Sequence, residues 1–222
     1  EPSTTTYSYT YPYRKYPTSD DIKYVNSIDI QVNNNVFPAM NNFIVNNIDI
    51  INNKIYIMGD QYYNNNQNKQ KIIVRKDKNG SDINYPNNSN TYMNILKELK
   101  NETGTILTLN DISKFIVNNN EELIFIDNKN IKLIKSNNTG NIQSIKRFNE
   151  IGINENNCFI EDIEKDKYSN IYLATSNPSY IIKLDKELEY LGSIKIIDMI
   201  TRNISVYEDK GIISISDTTN VG

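Results

Sequence analysis

The sequence predicts an all-β fold built from a repeated unit of four short antiparallel strands. Three observations support this prediction. From Asp21 onward, β-rich runs alternate with clusters of Asn, Gly, Asp and Ser at the spacing of hairpin turns. Ile, which is β-branched and suited to strands, supplies much of the hydrophobic content. A strongly apolar strand that ends near Asp or Ser recurs along the chain.

The recurring apolar strand has the spacing of a propeller blade. Its copies end at Asp60, Asp127, Ser176 and Asp217, which are 67, 49 and 41 residues apart. The last two intervals match or approach the roughly 40–50 residues of a blade. The first interval is longer, and the helical spacing of 92–100 predicts a short inserted helix there. We therefore expect a β-propeller-like array of four-stranded antiparallel blades.

Each of the first three units contains the four strands that a blade requires. One strand precedes the apolar strand, and a partner strand and an outer strand follow it. The fourth unit stops after its second strand, which predicts an incomplete array of about three and a half blades. Further blades would cover the strand edges that an open stack exposes. The predicted strands are, unit by unit, 43–50, 54–60, 71–76 and 81–85; 112–117, 121–127, 130–135 and 142–148; 159–164, 170–176, 180–185 and 190–196; 204–207 and 211–217.

The third unit resembles the repeats of the NHL and YVTN β-propeller families. In those repeats a Gly-Asn turn leads into an apolar strand that ends in Asp, and the next strand also ends in Asp. Residues 170–175 match the turn and the apolar strand, Leu184-Asp185 match the end of the next strand, and Ser176 replaces the usual Asp. The resemblance covers 165–196 closely and 43–222 loosely, and it implies a propeller fold.

The chain is expected to have two regions. Residues 1–20 are rich in Thr, Tyr, Ser and Pro without an apolar period, which predicts an extended arm or linker. Residues 21–222 form the predicted partial propeller. A different closed all-β architecture, such as a sandwich or a β-helix, is the alternative for the same strands. The propeller prediction buries these side chains between sheets: Ile55, Ile57, Ile124, Ile126, Ile171, Leu173 and Ile213.

The composition excludes several kinds of chemistry. The chain has no histidine, so it contains no His-based triad, His-ligated zinc site or His-based pH switch. Cys158 is the only cysteine, and without a His to activate it we expect a small buried hydrophobe. The net charge of −3, with no stripe of Lys or Arg, argues against nucleic-acid binding. No apolar run reaches the length that spans a bilayer.

The strongest candidate site is the set of polar residues that end the apolar strands. A propeller places Asp60, Asp127, Ser176 and Asp217 at one end of the blades, one residue in each blade. Carboxylates gathered there would hold a hard cation such as calcium, or accept hydrogen bonds from a sugar. The alternative is that each side chain caps its own turn.

Two other segments carry candidate residues. Tyr62 and Tyr63 lie in the predicted loop after the first apolar strand, where their rings would stack on a sugar or anchor a partner. Segment 159–167 contains several carboxylates, and two on one strand face would do acid–base work if burial raised one pKa. The alternating charges of this segment favour a solvated edge and turn instead.

The sequence therefore predicts a non-enzymatic propeller scaffold without a cofactor. We expect it to bind a protein or a glycan in an extracellular, cell-surface or multi-chain assembly, with a protein partner or further chain completing the propeller. The alternative is a calcium-dependent hydrolase resembling the propeller lactonases, which hold calcium with Asp, Asn and Glu and need no His. The scaffold is preferred because no cluster in the sequence gathers enough carboxylates in register.

Overall fold

The computed structural model describes residues 42–63, 68–85, 95–154, 158–197, 199–207 and 211–218. The predicted arm at 1–20, and residues 21–41 at the start of the predicted propeller, lie outside these ranges, so both assignments stay predictions. Apart from two single-turn 3₁₀ segments, Leu109–Asp111 and Phe148–Ile151, the described regular structure is all strand. Within it, no helix has the length and apolar character needed to cross a membrane.

The strands form three four-stranded sheets, called blades 1 to 3, and a two-stranded part of blade 4. All neighbouring strands in them are antiparallel, as predicted. The strands of blade 1 are β1 (Asn42–Ile51), β2 (Lys54–Tyr63), β3 (Asn68–Asp77) and β4 (Ile95–Leu96), followed by a hairpin of β5 (Glu98–Lys100) and β6 (Ile106–Thr108). Those of blade 2 are β7 (Lys114–Val117), β8 (Leu123–Asp127), β9 (Lys132–Ser136) and β10 (Ile142–Arg147). Blades 3 and 4 contain β11 (Phe159–Lys165), β12 (Ile171–Ser176), β13 (Tyr180–Leu184) and β14 (Tyr190–Lys195), then β15 (Met199–Tyr207) and β16 (Gly211–Thr218).

The first strands of successive blades lie next to one another. Strand β1 contacts β7, β7 contacts β11, and β11 contacts β15. We call β1, β7, β11 and β15 the inner strands. In blades 1 to 3 the second, third and fourth strands follow outward in chain order. Blades that share a centre through their first strands have the arrangement of a propeller, so the predicted fold class is confirmed.

Two predictions for the first unit are wrong. In the described part of 92–100 there is no helix, because β4 pairs with the middle of β3 and β5 pairs with β6. Both pairings bury a leucine, Leu96 and Leu99, that an isolated helix would leave in water. The predicted outer strand at 81–85 contains only isolated bridge residues, and β4 takes the outer edge of the blade.

Two backbone hydrogen bonds and the Arg75 side chain hold segment 81–85 against β3. The N–H of Asp77 donates to the carbonyl of Ser81 at 2.9 Å, and the N–H of Ile83 donates to the carbonyl of Arg75 at 3.0 Å. The Arg75 guanidinium donates to the carbonyls of Ile83, at 3.4 Å, and Asn84, at 2.6 Å. It also lies 4.4 Å from the centre of the Tyr85 ring, a cation–π contact. The Tyr85 side chain is buried, and this burial raises its pKa. These contacts satisfy backbone carbonyls without a regular strand.

Three inner strands carry a one-residue β-bulge that fixes the register of their blades. The bulges lie just before Asn47 in β1, Asp162 in β11 and Asn203 in β15. Next to β7, the N–H of Ser113 donates to the carbonyl of Ile126, and Ile126 pairs with Lys114. Lys114 therefore has the same register position as the residues that follow the bulges. We call these the post-bulge residues. Asn47, Lys114, Asp162 and Asn203 pair with Met58, Ile126, Ala174 and Ile215, respectively.

Apolar clusters fill the space between neighbouring blades. Leu173 of β12 is fully buried in the cluster between blades 2 and 3, which also contains Cys158, as predicted for that cysteine. A second cluster joins blades 1 and 2, and a third joins blade 3 to β15. Five of the side chains predicted to be buried are buried: Ile57, Ile124, Ile126, Ile171 and Leu173. Ile55 is half-buried, and the Ile213 side chain lies outside the described part.

Both ends of the described array expose apolar side chains. On β1, Val45, Ile48 and Ile50 are 41%, 53% and 61% exposed. They pair with Gly59, Ile57 and Ile55 of β2, and further out on the same face of blade 1 the side chains of Ile57 and Val74 are buried. On β14, Ile194 is 60% exposed and pairs with Ile181, which packs toward blade 4.

Candidate functional site

The register separates the predicted site residues into two groups. In each blade, the second-strand residue that pairs with the post-bulge residue serves as a reference point. Asp60, Ser176 and Asp217 each lie two residues after that reference residue. Asp127 stands only one residue after its counterpart, Ile126. The residue in blade 2 that is equivalent to Asp60 is therefore Asn128. The prediction that the four named residues occupy one blade position is wrong for Asp127, because the bulge pairing and not the end of the apolar run sets the register.

Asp127 caps its own turn. Its side chain is buried, and its Oδ1 accepts a hydrogen bond from the backbone N–H of Asn130 at 2.9 Å. The Asn130 side chain donates to both carboxylate oxygens, and Lys132 Nζ lies 3.8 Å away. These contacts match the turn-capping alternative for this residue.

Ser176 belongs to a polar network that joins blades 3 and 4. It is buried, and its hydroxyl donates to Glu161 Oε1 at 2.6 Å. The same oxygen lies 3.2 Å from Arg202 of β15. Glu161 and Arg202 are the bulged residues of β11 and β15, so each bulge aims a charged side chain at its neighbour.

The remaining predicted residues lie in extended strands. Asp60 is half-buried within β2, and its carboxylate is 3.9 Å from Lys69 Nζ. Tyr62 and Tyr63 were expected in a loop, but β2 continues through both and pairs them with Lys69 and Asn68. The hydrogen bonds of a long hairpin overcome the loop tendency of the Asn-rich sequence that follows. Tyr62 is half-buried, and the side chains of Tyr63 and Asp217 lie outside the described part.

The carboxylates of β11 do not form the solvated edge that their alternating charges favoured. Asp162 lies between two blades and binds both. Its Oδ1 accepts from Lys114 Nζ at 2.6 Å, and its Oδ2 accepts from the backbone N–H of Ile204 at 3.0 Å. One side chain therefore connects the inner strands of blades 2, 3 and 4. In blade 1, the post-bulge Asn47 accepts from the N–H of Phe115 at 3.3 Å in the same way.

A second set of charges lies two residues further along the inner strands. Asp49 accepts from the N–H of Val117 at 2.5 Å and from Lys165 Nζ at 2.7 Å, which joins β1, β7 and β11. Glu164 lies beside this pair. Burial raises the pKa of Glu164, the backbone hydrogen bond with Lys165 opposes the shift, and Asp162 and Asp49 add to it. Glu164 is therefore the most easily protonated carboxyl for which the structure gives a shift.

Asn128 forms a two-point contact with the next blade. Its Nδ2 donates to the carbonyl of Ile160 at 2.9 Å, and its Oδ1 accepts from the N–H of Ile160 at 2.9 Å. A single amide side chain therefore pairs with the inner strand β11 as another backbone strand would. The sequence analysis missed this residue because Asp127, one place earlier, had the more conspicuous charge.

The polar groups of this region mainly hold the blades together. Lys114, Asp162, Asp49, Lys165 and Asn128 all bridge two or more inner strands or blades. Among the described residues, no group of three or more Asp, Glu or Cys side chains is placed to hold a metal ion. Sequence reasoning did not select these bridging residues, apart from Asp162 and Lys165 in the charged segment 159–167. The signal available was weak: Asn47, Lys114 and Asp162 each lie two places after an isoleucine or valine, a spacing that recurs elsewhere in the chain.

The comparisons with known proteins reach distant solved structures. No protein-family profile matches the chain, and no curated protein matches it. One similar structure is the WD40 β-propeller domain of Doa1, with 12% identity, a TM-score of 0.46, and coverage of 79% of this chain and 48% of that one. The streptogramin B lyase structure has 11% identity, a TM-score of 0.40, and coverage of 79% and 84%. A protein of unknown function from Bacteroides caccae has 8% identity, a TM-score of 0.31, and coverage of 69% and 82%. The chain spans about half the length of the Doa1 domain.

Proposed function

We propose that this chain is a non-enzymatic β-propeller scaffold that binds a protein partner in an extracellular, cell-surface or multi-chain assembly. The binding surface is the end of the blades at which the second strands finish, called here the strand-end face. It is defined by the backbone positions of Asp60, Asn128, Ser176 and Asp217, together with Tyr62 and Tyr63 at the end of β2. A rigid stack of sheets that presents strand ends and turns is a suitable platform for recognition.

The observation that supports a scaffold is the use of the polar side chains. Glu161 accepts a hydrogen bond from Ser176 within blade 3 and pairs with Arg202 of blade 4. Asn128 binds both backbone groups of Ile160. A nucleophile or general base needs a group that can reach a substrate. Groups that are already paired between blades favour a structural role, which leaves the outer surface of the strand-end face for a partner.

A comparison of two tyrosine variants tests this proposal. The wild-type chain, Tyr62→Ala and Tyr168→Ala would each be immobilised and exposed to an extracellular protein fraction, and the captured proteins quantified. Tyr168 is a matched control, since it is exposed in the turn between β11 and β12, at the opposite end of the blade. We expect capture to fall at least several-fold for Tyr62→Ala and to be unchanged for Tyr168→Ala. Equal capture by all three chains would contradict binding through the strand-end face.

The calcium-dependent hydrolase is tested on the same proteins. Asp60 and Asp217 occupy one register position, so Asp60→Asn combined with Asp217→Asn removes the carboxylates that the enzyme would need there. The control is Asp185→Asn, which alters a carboxylate that caps its own turn by accepting from the N–H groups of Glu187 and Glu189. For a scaffold, calcium should leave the melting temperature of the wild type unchanged, and no lactone hydrolysis should appear. A calcium-dependent rise that only the double variant abolishes would favour the enzyme.

A further inference from the structure

One register position in the fourth strand of each complete blade faces the next blade. It lies opposite a third-strand residue, which itself lies opposite the reference residue of the second strand. Paired residues point to the same side of a sheet, and the third-strand members of these pairs lie in the clusters between blades. The fourth-strand residues at this position are Leu96 in blade 1, Lys146 in blade 2 and Ile194 in blade 3.

The next blade covers this position in blades 1 and 2. Leu96 is 6% exposed and belongs to the apolar cluster that also contains Ile134 of β9, the third strand of blade 2. Lys146 Nζ lies 2.7 Å from Glu189 Oε1, in the turn between the third and fourth strands of blade 3. The outer half of a blade therefore packs against this position of the blade before it.

In blade 3 the same position is largely uncovered. Ile194 is 60% exposed, although its third-strand partner Ile181 is only 7% exposed and lies in the cluster with Ile204 of β15. Within the described ranges, blade 4 consists of β15 and β16, so its cover reaches Ile181 and stops short of Ile194. We call the side of blade 3 that contains Ile194, the half-buried Ile196 and Lys183 the open face.

A basic residue defines the charge that fits the open face. Lys183 of β13 has the register position of Lys135 of β9, since each lies two residues after the third-strand partner of the reference residue. Lys135 Nζ lies 2.8 Å from Glu187 Oε2 and donates to the carbonyl of Lys186 at 3.0 Å, both in the hairpin turn of blade 3. Lys183 Nζ lies 5.3 Å from the centre of the Tyr172 ring in its own blade. A segment that covers the open face as blade 3 covers blade 2 brings an acidic turn to Lys183.

We propose that the open face binds a β-hairpin of a protein partner, in the place that the third and fourth strands of blade 4 would occupy. The first strand of the hairpin pairs with β16, as the third strand pairs with the second in blades 1 to 3. Its aliphatic side chains cover Ile194, as Ile182 and Leu184 of β13 pack against blade 2. Its turn carries a carboxylate for Lys183. The hairpin is inferred from continuity with the two complete interfaces, and its site is separate from the strand-end face.

A peptide of residues 179–196 is the probe, because it contains a hairpin of this kind with Glu187 in its turn. Ser179 and Ile196 lie opposite each other, so a disulfide between cysteines added at the two ends keeps the strands together. Fluorescence anisotropy would measure its binding to the 222-residue chain. We expect saturable binding that Ile194→Lys weakens by roughly tenfold or more, since the lysine places a charge under the aliphatic side chains.

The matched control is Ile145→Lys, at a 42% exposed isoleucine of β10, the fourth strand of blade 2, which should bind the peptide like the wild type. A charge exchange tests the turn. Lys183→Glu should weaken binding of the peptide, and a peptide with Glu187→Lys should restore it. Circular dichroism on each variant establishes that loss of binding is not loss of fold.

The proposal would be overturned by a chain that does not bind the peptide, by equal binding to the wild type and Ile194→Lys, or by a charge exchange without recovery. Light scattering distinguishes another occupant: self-association that Ile194→Lys abolishes would make it a second copy of this chain. The tyrosine capture experiment is independent. If the peptide does not bind but Tyr62→Ala reduces capture, the hairpin is wrong and the scaffold stands. If the peptide binds as expected and Tyr62→Ala has no effect, the hairpin stands and the strand-end face is wrong.

Discussion

Lys114 Nζ lies 2.6 Å from Asp162 Oδ1, although the two residues are 48 positions apart and belong to different blades. Both are post-bulge residues, and both side chains are half-buried. Lys114 cannot accept the N–H that Asn47 and Asp162 accept at the same register position. Its ammonium group instead donates to the Asp162 carboxylate of the next blade. At this one position, therefore, an ion pair takes the place of the hydrogen bond to a backbone N–H.

We expect Asp162→Ala to lower the free energy of unfolding by about 1–3 kcal/mol, because the substitution leaves the Lys114 ammonium and the Ile204 N–H without their acceptor. Lys114→Met should cost less, since the backbone contact to Ile204 survives. Urea denaturation of both variants and the double variant would give the coupling energy. For comparison, removing the exposed pair of Lys129 with Asp111 should change stability little. A coupling near zero for Lys114 with Asp162 would contradict a role in joining the blades.

Glu164→Gln should stabilise the protein at neutral pH. Burial raises the pKa of Glu164, so the folded state prefers the protonated acid. Below the usual pKa of Glu the group is protonated in both folded and unfolded chains. As pH rises through the raised pKa, the folded state must ionise a buried carboxyl and stability falls. The variant should therefore melt higher than the wild type at about pH 7 and equally at about pH 3, with about 2–4 °C for each kcal/mol.

The control for this pH profile is Glu102→Gln, at an exposed glutamate in the turn between β5 and β6. Its melting curve should follow that of the wild type at every pH. A Glu164→Gln variant that is less stable than the wild type at neutral pH would show that the carboxylate form is needed, for example by Lys165.

Asn128→Ala should destabilise the interface between blades 2 and 3 by about 1–3 kcal/mol, because it leaves both backbone groups of Ile160 unpaired. Asn128→Asp keeps the acceptor and loses the donor, so it should have an intermediate effect. Asn149→Ala, at an exposed asparagine outside any such contact in the described part, serves as the control. Hydrogen exchange at the Ile160 amide gives a local measurement. Unchanged protection of that amide in Asn128→Ala would contradict the two-point contact.

Leu173→Ala should cost about 2–5 kcal/mol of unfolding free energy, the range for a leucine that is fully buried in a packed core. Leu191→Ala provides the comparison, since Leu191 lies on β14 and is largely exposed, and its change should stay within about 0.5 kcal/mol. Chemical denaturation measures both. Similar losses for the two variants would mean that β12 is not in the core between blades 2 and 3.

The sequence was most informative where hydrophobicity alone decides structure. The second strands β2, β8 and β12 each contain an uninterrupted apolar run. The runs are 55–58, 123–126 and 171–174, and the structure buries all of their residues except Ile55, which is half-buried. Their spacing was enough to predict blades. The outer edge of blade 1 was not predictable in this way, because β4 is only two residues long and its place depends on pairing with β3. A two-residue strand has no period to detect.

The site was harder to predict than the fold because its members are set by register. Asp127 and Asn128 are adjacent in sequence, yet one caps a turn and the other binds the next blade. Nothing in the local composition distinguishes these roles, since a one-residue shift reverses the face on which a strand residue lies. Likewise, the pairing of Lys165 with Asp49 spans 116 positions and follows from the meeting of inner strands. Such contacts are consequences of the assembled blades and have no signal within one repeat.

The bulge that precedes Asn47, Asp162 and Asn203 also limits how blades can be recombined. A chimera that joins two repeats within an inner strand must cross over at the same side of the bulge in both parents. If it does not, the junction gains or loses one residue, and every later side chain of that strand turns from one neighbouring blade toward the other. Crossovers in the turns between blades avoid this frameshift of side chains, so they are the natural points at which such a repeat could be exchanged or duplicated.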